Sequence, residues 1–258
     1  MTLSSVWLTS LWIMCAMALV TWLTATVRHN AGLVDICWPL FFLAGALVHA
    51  AASSALQQRT LLVLVLVAIW SMRLAVYLAA RNWNAPEDRR YRAIRERNDP
   101  GFRWKSIYLV FGLQALLAWF ISAPLGAAIA STVPLGPLDL AGAVVVVFGI
   151  GFESLADAQL ARFKSSAGNA KRVMDQGLWR YTRHPNYFGE CCVWWGFYLV
   201  ALGAGGWWSV FSPLLMTVLL LRVSGVALLE KDIGERRPAY RDYALRTNAF
   251  LPGRPREI

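Results

Sequence analysis

An all-α membrane protein is the fold class the sequence predicts: a seven-transmembrane-helix bundle with its N-terminus outside and its C-terminus cytoplasmic. Three features predict it. The chain of 258 residues is 57% hydrophobic and 16% charged and carries 13 Trp, a balance foreign to an ordinary soluble domain. A helical span needs roughly 20 mostly apolar residues, and seven runs meet that need, at about 5–27, 34–52, 60–80, 106–130, 135–158, 187–204 and 207–229. Lys and Arg are placed unevenly: eight lie in 81–105, six in 162–183 and seven after Glu230, while 131–136 and 203–206 hold none.

Basic loops face the cytoplasm. With seven spans that rule puts the N-terminus outside and leaves Arg59 alone on the wrong side. The net charge of +10 is therefore first a topology signal and second an attraction to anionic membrane lipid, and no nucleic-acid partner is expected. The first span follows no basic residue and is too long for the apolar core of a signal peptide, so it is expected to be retained. The second carries Asp35 and runs into the small-residue stretch "LAGALVHAAASSA", a packing face. On the third, Arg73 and Tyr77 stand four apart and share a face. The fourth, 106–130, ends the N-terminal half. On the fifth, Glu153 and Asp157 project from one face, and on the sixth Asn186, Glu190 and Trp194 form a similar stripe. "ALGAGGWW" suits a short interfacial turn before the seventh, where Arg222 and Glu230 lie about two turns apart. Cys15, Cys37, Cys191 and Cys192 all fall within spans and lack metal-ligand spacing, so they read as small buried residues and no metal is expected. The whole chain, 1–258, reads as one integral membrane domain and as a monomer.

A charge near the bilayer centre costs about 2.5–3.5 kcal/mol on insertion scales. Asp35, Arg73, Glu153, Asp157, Glu190, Arg222 and Glu230 therefore each call for a partner or a task. Counted from the cytoplasmic helix ends, all but Arg73 and Arg222 lie within about three turns of that surface, so their faces predict a polar cavity open to the cytoplasm. The plainer alternative is that they are ion pairs tying helices together.

The stretch "GLWRYTRHPNYFGE" (177–190) stands at the mouth of that cavity. Pro185 suits the first turn of a helix, whose free N–H groups add to Arg180, Arg183 and His184 as an anion site for a phosphate or carboxylate. Lys164, Lys171, Arg172, Arg241 and Arg246 extend the basic rim. Arg residues at a cytoplasmic helix end are also what topology alone produces. Asp157, Glu190 and Glu230 suit hydroxyl and amide donors, such as the ribose and carboxamide of a nucleotide. Neither G-x-G-x-x-G after a strand nor G-x-x-x-x-G-K-[ST] is present, and "GIGFE" near 149 is too weak a motif to count, so any nucleotide is held in a non-Rossmann manner.

"FESLADAQLARFK", "GLWRYTRHPNYFGE", "LLLRVSGVALLEK" and "RRPAYRDYALRTNAFLP" together resemble the steroid 5α-reductase family, in particular its bacterial branch. The likeness covers about 150–252 by motif and the N-terminal half by layout. It implies seven membrane helices, the bacterial inner membrane as location, and NADPH bound from the cytoplasmic side by 135–258. It further implies reduction of a carbon–carbon double bond conjugated to a ketone in a lipid, such as a 3-oxo-Δ4-steroid, held by 1–130. Carried over by motif, the cofactor residues are Glu153, Asp157, Lys164, Tyr181, Arg183, Asn186, Glu190, Trp194, Arg222, Glu230, Tyr243 and Arg246, with His184 added from the mouth. The family often has Asn in place of Glu153 and Tyr in place of Glu230.

Steroid-reducing members carry a Gln-Glu pair on the second helix and a Tyr on the third. Here the second span offers Asp35, Cys37 and Trp38, and the third Trp70, Arg73 and Tyr77, with Trp70 aligned to the Tyr. The implied chemistry is hydride addition to the enone with a donor stabilising the enolate oxygen. Asp35 is the first candidate for that donor, Tyr77 the second and Arg73 the electrostatic partner; an Asp35–Arg73 ion pair is the structural alternative. "RHPNYFGE" followed by "EK…YRDY…FLP" also resembles membrane methyltransferases of the isoprenylcysteine and phospholipid type, which use S-adenosylmethionine. "FESLADAQLARFK" and the seven-span layout favour the reductase.

Overall fold

The computed structural model describes residues 2–53, 56–169, 172–223, 225–226, 230 and 238–256. Among them every regular element is helical. The chain divides into two compact units, Met1–Pro137 with Ala201–Ser209, and Leu138–Val200 with Val210–Ile258.

In the first unit, α1 (Leu3–Val27) starts at Thr2, whose hydroxyl accepts the Ser5 N–H at 3.3 Å. A turn at Ala31–Leu33, capped by the Asn30 carboxamide, leads into α2 (Val34–Ala51). Then come α3 (Gln58–Asn82), the short polar α4 (Arg89–Asn98) and α5 (Phe102–Ile121), which contains a π-helical segment at Ile107–Gly112. The expected fourth span is not one helix. It breaks at Ser122, and α6 (Ala123–Ala130) restarts with Pro124 in its first turn, where a proline has no N–H to contribute to a continuing ladder.

The two ends of this unit are held by different chemistry. At one, Arg59 is 2% exposed and donates to the carbonyls of Val133 at 2.5 Å and Pro134 at 2.9 Å. Ser131 Oγ in turn donates to the Ala204 carbonyl at 3.1 Å. The residue that broke the charge rule is thus a clamp on loop carbonyls, an inward use of a guanidinium that a loop count of charges does not register. At the other end Arg28 donates to the Trp83 carbonyl at 2.8 Å, and Glu87 accepts the Ala31 N–H at 2.8 Å and both Arg95 bonds at 2.7 and 2.9 Å. Loops that the charge pattern assigned to one side therefore share one end of the unit.

The second unit is built on α7 (Pro137–Ser165) from Leu138 and α8 (Pro185–Gly203) as far as Val200, with α9 (Trp207–Val223) from Val210 and α10 (Ala239–Arg246) after them. Five helical stretches among the described residues are long and apolar enough to cross a membrane: α1, Ala31–Ala51, α3, α5 and α7. Helix α8 opens with Pro185, Asn186 and, a turn later, Glu190, which dilutes its apolar character. The seventh run is described as α9 to Val223, ending in a π segment at Leu219–Val223; 224 and 227–229 lie outside the described residues. Val20, Leu23 and Val27 on α1 are well exposed, as lipid-facing side chains are.

Glycines set the spacing of α7 and α8. A Cβ on Gly142 would lie 2.6 Å from the Gly196 carbonyl oxygen, one on Gly149 2.6 Å from that of Gly189, and one on Gly189 2.7 Å from the Glu153 amide. Each helix places its two glycines seven residues apart, so both pairs fall on one seam and the backbones touch there. The "GIGFE" glycine at 149 is thus a helix-contact residue. We expect Gly189→Ala to lower stability in detergent by about 1–3 kcal/mol, whereas Gly151→Ala, where a Cβ meets nothing within 4 Å, leaves the melting temperature unchanged. Equal effects would show that the seam does not set the helix spacing.

Candidate functional site

The seam decides which side chains meet in the second unit. Glu153 and Asp157 on α7 and Glu190 on α8 are all buried. The Asn186 amide donates to Asp157 Oδ1 at 3.4 Å, and its carbonyl oxygen accepts the Tyr187 N–H at 3.1 Å. One turn deeper, buried Trp194 donates from Nε1 to Glu190 Oε1 at 3.0 Å. Two adjacent helices thus present a set of buried acceptors with one carboxamide among them.

The mouth segment is fastened to α7 before it reaches α8. Trp179 Nε1 donates to the Ala156 carbonyl at 3.0 Å, and Gln159 Oε1 accepts the Leu178 N–H at 2.9 Å. Gly177 has φ of 60°, and a Cβ there would lie 2.5 Å from Gln159, so only glycine suits that turn. Buried Thr182 donates to the Phe250 carbonyl at 2.8 Å, the Arg183 N–H to Asn248 at 2.9 Å, and the Gly253 N–H to Tyr181 at 3.0 Å. The Tyr243 hydroxyl closes on the Trp179 carbonyl. The tail is thereby tied along the mouth.

Glu230 is the hub of this arrangement. Arg183 grips it in a fork, Nε to Oε1 and Nη2 to Oε2, both at 2.8 Å, while Arg183 Nη1 donates to the carbonyls of Ala244 at 2.9 Å and Thr247 at 2.5 Å. His184 Nε2 lies 2.8 Å from Glu230 Oε1, and the Tyr240 hydroxyl donates to the same oxygen at 3.1 Å. The His184 ring is stacked on Tyr187, with 3° between the planes. Burial alone would raise the Glu230 carboxyl; the bonds from His184 and Arg183 and the Arg183 charge outweigh it and bring it from 4.5 down to about 2. Burial and the neighbouring Glu230 charge push the Tyr240 hydroxyl up.

The residues expected to clamp phosphate are therefore differently placed. Arg183 and His184 are engaged inside the protein, and Tyr243 serves the tail contact. Arg180, Lys164, Arg241 and Arg246 are exposed, as is Arg222. The Arg180 carbonyl accepts from Thr247 Oγ at 3.4 Å, which sets the chain at Arg246 beside it. Tyr181 is 44% exposed. Lys171, expected on the same rim, lies outside the described residues, and exposed Arg172 bonds Asn169 Oδ1 at 3.1 Å.

In the first unit Asp35 does not pair with Arg73. It sits at the second position of α2, where Oδ2 takes Arg90 Nη2 at 2.8 Å and Oδ1 the Tyr91 hydroxyl at 2.5 Å. Asp35 is thus satisfied by α4. Arg73 and Tyr77 lie on α3, with the Arg81 guanidinium 5.5 Å from the Tyr77 ring centre. Trp70, the position aligned to the family's Tyr, is fully buried edge-to-face against Phe42, which meets Trp38 in the same way. The four cysteines are free, and among the described residues no group of three or more His, Cys, Asp or Glu is placed to hold a metal.

Because the folded Glu230 value is depressed, its contribution to stability is present above about pH 4.5 and is lost as pH falls towards 2. We expect Glu230→Gln to cost about 2–3 kcal/mol at neutral pH, the scale of charged hydrogen bonds, and to flatten that acid limb in a detergent melting series. An acid limb identical to wild type would remove Glu230 from this role.

No solved structure matches this chain. An uncharacterised protein of Schizosaccharomyces pombe is 25% identical over 265 residues, covering 90% of this chain and 76% of its own length. The family model described as "Protein of unknown function (DUF1295)" matches residues 21–247, so the chain belongs to that family.

Proposed function

We propose that this protein is an integral membrane reductase that uses NADPH to reduce a carbon–carbon double bond conjugated to a ketone in a lipid substrate such as a 3-oxo-Δ4-steroid. The observation that carries this reading is the set of Glu153, Asp157, Asn186 and Glu190, brought together by the glycine seam of α7 and α8. Carboxylates and a carboxamide gathered on one polar face of an apolar helix pair are the groups that accept ribose hydroxyls and the carboxamide of a nucleotide. Membership of a family that includes steroid 5α-reductase-like proteins supports the same reading.

The donor set fits a dinucleotide. Asp157, Asn186 and Glu190 would hold its neutral polar groups, and exposed Arg180, Lys164, Arg222 and Arg246 its phosphates. Arg183, His184 and Tyr243 shape the mouth through Glu230 and Trp179. NADPH held there would supply the hydride for the β-carbon of the enone, with the α-carbon taking its proton from solvent. In the first unit both Asp35 oxygens are already engaged, so Asp35 positions Arg90 and Tyr91, and Tyr77 is the preferred donor to the enolate oxygen, with Arg73 as its electrostatic partner. In this reading α8 and α9 are the sixth and seventh spans, the N-terminus is outside, and the basic loops put the cofactor end in the cytoplasm.

Thermal-shift titration of the detergent-solubilised protein tests the proposal. NADPH is expected to stabilise it at lower concentration than NADH, and S-adenosylmethionine to have no effect; stabilisation by S-adenosylmethionine alone would replace the reductase with a methyltransferase. Asn186→Ala and Glu190→Ala should each weaken NADPH about tenfold, the scale of one hydrogen bond to the ligand. Unchanged affinity in both would remove this face from the cofactor site.

A further inference from the structure

The first unit holds a cavity of about 310 Å³ where α1 ends, walled by Val27, His29, Arg95, Phe102, Arg103 and Phe111. That volume is at the lower end of small-ligand sites, about 300–1,000 Å³. Its floor is apolar and its rim cationic. Arg95 is compensated: its guanidinium forks onto Glu87 at 2.7 and 2.9 Å and lies 4.5 Å from the Phe102 ring centre, making it part of the wall. Arg103 is different. Its side chain is exposed, its guanidinium sits 5.2 Å from the Trp104 ring centre, and among the described residues no carboxylate pairs with it.

His29 supplies a second observation. It is the sole non-glycine residue with positive φ among those described, at 51°. The Asn30 N–H bonds back to the Ala25 carbonyl at 3.0 Å and the His29 N–H to Thr26 at 3.3 Å, which closes the end of α1 as a glycine normally would. A side chain in that conformation is strained. What the imidazole adds is a second polar group on the cavity rim.

The surroundings fix the depth. Trp104 and Trp83 are both well exposed, as interfacial aromatics are. Below the cavity, Val27, Leu23 and Val20 step along one exposed face of α1 at four- and three-residue intervals. A cationic rim, aromatic flanks and an apolar track leading away match a molecule with an anionic head and a hydrocarbon tail.

We propose that this cavity binds the phosphodiester head of an anionic phospholipid, with Arg103 and His29 as its contacts and an acyl chain laid along Val27, Leu23 and Val20. The site shares no residue with the proposed nucleotide face of α7 and α8 and does not depend on the reductase reading.

The test uses the full chain in detergent, titrated with dioctanoyl phosphatidylglycerol, dioctanoyl phosphatidylcholine or inorganic phosphate and read by thermal shift and native mass spectrometry. Phosphatidylglycerol is expected to bind and stabilise, and the other two are not. Arg103→Ala should weaken it about fivefold, the scale of one basic residue at an anionic lipid. His29→Gly should also weaken it while raising the melting temperature, since glycine adopts that φ without strain; this variant separates binding from folding. Arg97→Ala, on the exposed side of α4, should leave affinity unchanged. The proposal fails if both rim variants bind like wild type, if Arg97→Ala loses as much, or if inorganic phosphate displaces the lipid at equal concentration.

Discussion

The second unit depends on one carboxylate. Glu230 receives Arg183 as a fork, the ring of His184 and the hydroxyl of Tyr240. Through Arg183 the same contact reaches the carbonyls at the end of α10, and through His184 it reaches the residue before Pro185, where α8 starts. Removing such a group leaves a largely buried guanidinium facing loop carbonyls with no counter-charge, the costly half of a broken buried pair. The geometry of the mouth follows from this pairing, and the mouth positions Asn186.

Inside the mouth a different constraint operates. The glycine seam lets α7 and α8 approach at backbone contact, which places Asp157 within reach of Asn186 and buries Glu153 and Glu190. Desolvation makes this acceptor set expensive and also makes it selective for donors. The two devices divide the work: ionic bonds hold the segment at the aqueous edge, and close packing holds the polar face within the apolar layer. The exposed cations of the edge, Arg180 and Arg246 among them, lie outside the Glu230 network.

Much of the architecture was legible from run lengths, since an apolar run of about 20 residues has few other uses. α1, α2, α3 and α7 lie where their runs place them, and Pro185 opens α8 as its ring dictates. The break at Ser122 does not show in run length because the residues on both sides are equally apolar; Pro124 is the signal that marks it. Glu153, Asp157, Asn186 and Glu190 were found by helical spacing, a local signal. The partners of Asp35 were not, because Arg90 and Tyr91 lie 55 and 56 residues away, and no periodicity links an acid on one helix to a separate short helix. Arg183 looked like a phosphate ligand because charge type says nothing about whether a fork is already filled. The seam itself reads as helix-weakening glycine until the seven-residue spacing is seen on both helices.

Amide hydrogen exchange on the detergent-solubilised protein, wild type against Glu230→Gln, tests the central claim most directly, because exchange reports local opening segment by segment. If Glu230 holds the mouth to the tail, residues 178–183 and 243–248 should lose protection together in the variant while 142–153 on α7 keeps it. Unchanged protection in both segments, or loss in one alone, would contradict the account.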